Sequence, residues 1–64
     1  MIHSSSVIDK NAKISKNAKI GPFCYVGPNV ELYDGVELLS NVYIEGNIMV
    51  GKDTKIFPFS SIGS

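Results

Sequence analysis

The chain has 64 residues, with six lysines balanced by six acidic residues, one histidine and one cysteine. Zero net charge lacks the basic footprint of a nucleic-acid binder, and no apolar run approaches the roughly 18 residues that a membrane helix needs. A lone cysteine excludes an internal disulfide and fits a reducing compartment, and a chain this short buries only about 60% of the surface it exposes when unfolded, so it needs help to be stable.

The opening, Met1-Ile2-His3-Ser4-Ser5-Ser6, has neither a basic leader nor a hydrophobic signal core, and a cytoplasmic protein is expected. Next come two near copies, Ile8-Asp9-Lys10-Asn11-Ala12-Lys13 and Ile14-Ser15-Lys16-Asn17-Ala18-Lys19. Apolar residues at 8, 12, 14, 18 and 20 do not follow helical spacing. The units beginning Ile20-Gly21-Pro22-Phe23-Cys24 and Val26-Gly27-Pro28-Asn29-Val30 continue the six-residue frame, and so does the rest of the chain. The leading places are Ile2, Ile8, Ile14, Ile20, Val26, Leu32, Leu38, Ile44, Val50, Ile56 and Ile62, every one aliphatic.

Four residues after each leader stand Ser6, Ala12, Ala18, Cys24, Val30, Val36, Val42, Ile48, Thr54 and Ser60, small or β-branched types that suit a pleated strand or tight corner. The fourth place of the unit carries Asn11, Asn17, Asn29, Gly35, Asn41, Asn47 and Asp53, which tolerate left-handed backbone angles and mark turns. Ser5, Phe23 and Phe59 break that column.

Three such units make a turn of about 18 residues in a triangular coil, whose turns stack about 4.8 Å apart as parallel strands. The leaders then form three columns: Ile2, Ile20, Leu38, Ile56; Ile8, Val26, Ile44, Ile62; and Ile14, Leu32, Val50. No coil can bury its inner face alone, and stacking makes the core continuous. The outward residues agree with this register. Lys19, Glu37 and Lys55 align with alternating charge, Lys13 and Glu31 lead to Met49, and Val7, Tyr25, Tyr43 and Ser61 place two tyrosines together. The expected fold is all-β, a parallel β-helix of hexapeptide repeats filling residues 1–64 as one partial domain of about three and a half coils.

No residue reads as catalytic, substrate-binding or metal-binding, and no cofactor is indicated. His3 is outward with no carboxylate partner in view, so it reads as structural. Cys24 falls in the inward small-residue column as a buried apolar group. Gly21, Gly27, Gly51 and Gly63 recur with the coil and lack the lysine of a phosphate loop, while Asp9, Asp34 and Asp53 lack calcium-loop spacing. The outward apolar columns Tyr25 with Tyr43 and Leu39 with Phe57 point to a subunit interface.

The hexads resemble the left-handed parallel β-helix of hexapeptide-repeat acyltransferases. Ile2-His3, the Gly-Pro-Phe-Cys stretch through Val30-Glu31, and Ile56-Phe57-Pro58-Phe59-Ser60-Ser61-Ile62-Gly63 are similar to the N-terminal part of the bacterial UDP-N-acetylglucosamine O-acyltransferases. Asn41, Tyr33 and Leu39 depart from that family's pattern. The left hand comes from the resemblance alone, since parallel crossovers are nearly always right-handed. The resemblance implies transfer of a 3-hydroxyacyl group from acyl carrier protein to the glucosamine 3-hydroxyl, the first step of lipid A synthesis. It also implies a trimer whose catalytic histidine and substrate contacts lie in coils beyond residue 64. The expectation is therefore a structural portion, inactive alone and poorly stable or self-associating in isolation. The alternatives are an assembly scaffold of hexapeptide repeats, or another enzyme sharing the coil, such as a serine acetyltransferase or a γ-class carbonic anhydrase. The Gly-Pro-Phe-Cys stretch speaks against the last.

Overall fold

The computed structural model describes residues 1–63, which hold ten short strands. These are β1 (Val7–Ile8), β2 (Lys13–Ile14), β3 (Lys19–Ile20), β4 (Tyr25–Val26) and β5 (Val30–Leu32), followed by β6 (Glu37–Leu38), β7 (Tyr43–Ile44), β8 (Ile48–Val50), β9 (Lys55–Ile56) and β10 (Ser61–Ile62). No strand pairs with its neighbour in sequence. They form three parallel sheets, ordered β1-β4-β7-β10, β2-β5-β8 and β3-β6-β9. Ile8 lies opposite Val26, Ile14 opposite Leu32 and Ile20 opposite Leu38, so the register is 18 residues throughout. The chain is a left-handed parallel β-helix of about three turns; the hexads called for the coil and the family resemblance for its hand.

The core is built from the two inward columns and nothing else. Ile20, Val26, Leu32, Leu38, Ile44, Val50 and Ile56 supply the strand side, and Ala18, Cys24, Val30, Val36 and Val42 supply the corners. Each fully buried aliphatic contributes roughly 1.5–3 kcal/mol relative to exposure. The ends of the stack gain less: Ile2 keeps 46% of its surface, and Ile8, Ile14 and Ile62 are only partly covered.

The corners close in two different ways. In the first coil a side chain at the second place of each unit accepts the backbone N–H two residues on. His3 Nδ1 takes Ser5 N–H at 3.1 Å, Asp9 Oδ1 takes Asn11 N–H at 2.9 Å, and Ser15 Oγ takes Asn17 N–H at 3.2 Å. These are turns that a side chain closes in place of backbone. Later coils use left-handed backbone instead, at Phe23, Gly35, Asn41, Asp53 and Phe59. The asparagine column therefore marks turns but not their geometry. Asn11, Asn17, Asn29 and Asn47 are absent from the left-handed set, while the two phenylalanines that break the column belong to it.

Gly21 is fixed by stacking. A Cβ there would lie 1.7 Å from the carbonyl oxygen of Leu39 in the next coil, so only glycine lets the two coils approach.

Candidate functional site

The triangular prism has three edges, and they differ sharply in chemistry. The edge joining the β1 sheet to the β2 sheet presents Lys10, Asn11, Pro28, Asn29 and Asn47. The edge joining the β2 sheet to the β3 sheet presents Lys16, Asn17, Asp34, Lys52 and Asp53. The third edge, where the chain passes from the β3 sheet to the β1 sheet, carries Pro22, Phe23, Pro58 and Phe59.

The four residues expected to form an interface bracket this apolar edge. Leu39 and Phe57 follow β6 and β9 on one side, and Tyr25 and Tyr43 open β4 and β7 on the other. Parallel pairing sets Tyr25 beside Tyr43, and their rings stack with centroids 5.0 Å apart and planes 23° from parallel. Tyr25 and Leu39 are half-buried, whereas Phe57 is 61% exposed. The Tyr43 hydroxyl donates to Glu45 Oε1. That bond, with a smaller effect of burial, pushes the phenol above its usual range, because the neutral form holds the donor proton.

Phe23 and Phe59 are exposed, the latter by 83%, yet both hold left-handed angles, φ 60° and φ 64°. The usual cost for a non-glycine residue there is about 1–2 kcal/mol, and an exposed ring recovers none of it by burial. Sequence reasoning saw these residues only as exceptions. The usable signal was the preceding proline, which presets the first turn residue and permits a positive φ at the second.

His3 Nδ1 lies 2.8 Å from Ser5 Oγ, and Cys24 is buried, its thiol near Pro22 O. Both stand where the sequence placed them. A depression of about 460 Å³ on the β2-β5-β8 sheet is rimmed by Lys13, Glu31, Asp34 and Lys52 and contains no histidine or cysteine. Among the described residues no group of three or more His, Cys, Asp or Glu side chains could hold a metal ion, and no helix is long and apolar enough to cross a membrane.

No protein-family profile matches the chain, and no curated protein matches it. Among solved structures, a crystal structure of UDP-N-acetylglucosamine acyltransferase is 42% identical with a TM-score of 0.98. The match covers 100% of this chain and 25% of that one. The resemblance read from the Gly-Pro-Phe-Cys and Phe-Pro-Phe segments thus holds along the whole chain, which is similar in sequence and fold to one quarter of a UDP-N-acetylglucosamine acyltransferase.

Proposed function

We propose that these coils form the N-terminal structural part of an acyltransferase that moves a 3-hydroxyacyl group from acyl carrier protein to the 3-hydroxyl of UDP-N-acetylglucosamine, in the first step of lipid A synthesis in the cytoplasm. The observation that carries this reading is the 42% identity, with a TM-score of 0.98, over the full chain. In this reading the 64 residues are inert toward that reaction. The reaction needs a general base beside the sugar hydroxyl, and His3, the one histidine, has its Nδ1 engaged in its own turn, accepting the Ser5 N–H. The test is to mix the purified 64-residue protein with 3-hydroxyacyl carrier protein and UDP-N-acetylglucosamine, and to measure the intact mass of the native product in its own cell. No acylated sugar and a much larger native mass, with coils running on to a histidine, are expected. A native mass near 6.9 kDa would leave an assembly scaffold as the better reading.

The apolar edge serves in this proposal as the contact between copies, with three chains around an axis. Tyr25, Tyr43, Leu39 and Phe57 flank it, and with the exposed Phe23 and Phe59 they make a continuous apolar strip suited to self-association. Tyr43→Lys should lower the association state seen by light scattering. An unchanged mass distribution would remove this edge as the interface.

A further inference from the structure

The two sheets that meet at the apolar edge carry different charge. On the β3-β6-β9 sheet the outward column is Lys19, Glu37 and Lys55, each two residues before the places of Gly21, Leu39 and Phe57. On the β1-β4-β7-β10 sheet the matching column is Asp9, Gly27 and Glu45, each two residues past Val7, Tyr25 and Tyr43. Among the described residues, Asp9 and Glu45 are the only charges on the outward places of that sheet. The two columns thus flank the edge at equal separation along the chain, one on each side. Taken coil by coil, their signs complement: Lys19 goes with Asp9, Glu37 with Gly27, and Lys55 with Glu45. Within one chain these groups lie on different sheets, and the ion pair the chain does form joins Lys55 to Glu37. Lys19, Lys55 and Glu45 are exposed, and Asp9 is half-buried. Asp9 Oδ1 accepts the Asn11 N–H and Glu45 Oε1 accepts the Tyr43 hydroxyl, which leaves the second oxygen of each carboxylate to meet a cation.

We propose that copies of this chain join through unlike faces, the lysine column of one against the acidic column of the next, with the apolar edge between them. This pairing rests on the reading that the apolar edge joins copies; it adds which faces meet and at what height. Contact between unlike faces is heterologous, and it closes into a ring only when each copy stands level with the next. The glycine in the middle coil selects that level arrangement. At equal height Glu37 meets Gly27, whereas a shift of one coil either way sets Glu37 against Asp9 or Glu45. Like charges brought together at a contact are costly, so the staggered assembly, which would grow as an open fibre, is disfavoured.

The test is sedimentation velocity on the whole chain over a concentration series. Added sodium chloride should loosen association of the original chain, because it screens the pairs. Lys55→Glu or Glu45→Lys alone should weaken association about tenfold, since each contact then holds a like pair. The double variant Lys55→Glu with Glu45→Lys rebuilds the pair only between copies and should recover the original association. Lys13→Glu makes the same charge change on the sheet away from the edge and should leave association as it is. Circular dichroism in the β-sheet region should match across the set. Single variants that associate as tightly as the original, or a double variant no better than the singles, would overturn the pairing while the apolar edge stands. So would association of the original chain that holds or tightens with salt, a result that needs no variant. An original chain that stays monomeric at every concentration would overturn the pairing and the edge together.

Discussion

Phe59 illustrates how one residue can oppose its own backbone. Its φ of 64° favours glycine or asparagine, and asparagine does occupy the place one coil below, at Asn41 with φ 54°. Phe59→Asn should therefore raise unfolding stability by about 1 kcal/mol in denaturant titration. A loss of stability instead would mean that the exposed ring packs within the folded chain. Gly21 is the opposite case, a residue its surroundings demand. Gly21→Ala pushes a methyl group into the Leu39 carbonyl and should cost about 3 kcal/mol or prevent folding. Tyr43 carries the one clear titration signal. Its bond to Glu45 raises the phenol's value in the folded state, so the stability linked to it is fully present below the usual tyrosine value of about 10 and is lost as pH rises through the raised one. In a tyrosinate absorbance titration Tyr43 should ionise above the ordinary tyrosine value, and Glu45→Gln should bring it back toward that value. The sequence announced Cys24 through its column, but it marked Gly21 only as a turn residue and not as the point where two coils approach. It could not announce the Tyr43–Glu45 bond, because a separation of two residues on an outward face dictates no contact.

At the scale of strands, register is written twice, once inside and once outside. Inside, aliphatic leaders meet only aliphatic leaders. Outside, the first and third coils bring lysines to the acids of the second: Lys13 and Lys19 lie opposite Glu31 and Glu37, and Glu37 in turn lies opposite Lys55. Among the described residues the one ion pair is Lys55 to Glu37, at 4.0 Å and well exposed, so the attraction is worth a few tenths of a kcal/mol at most. Its value is in discrimination. A strand slipped by one residue would turn the leaders outward as well as break the charge alternation. Glu37→Lys stacks three lysines in one column and should lower stability by about 1 kcal/mol, an effect that added salt reverses in part. The pairing of strands was legible from spacing alone. The closing of the corners was not, since Asn11 and Asn41 occupy the same place in the unit and one is held by a side chain while the other turns its backbone left-handed.

For the whole molecule, the architecture was legible because a coil has few ways to bury two apolar columns, and a single period settles which strands meet. The apolar edge was half legible. Tyr25, Tyr43, Leu39 and Phe57 could be placed by counting, but Phe23 and Phe59 were hidden by a turn geometry that only their prolines hinted at. The uniform register carries a kinetic consequence. Every strand partner is 18 residues away, as Val7 is from Tyr25, so among the described residues no hairpin or other local strand pairing is available to start folding. The chain must close one loop of that length before any interior forms, and each later coil repeats the same closure on a template already in place. Folding is then a slow first winding followed by quicker additions, and a change in the middle coil should delay the winding more than the same change at either end.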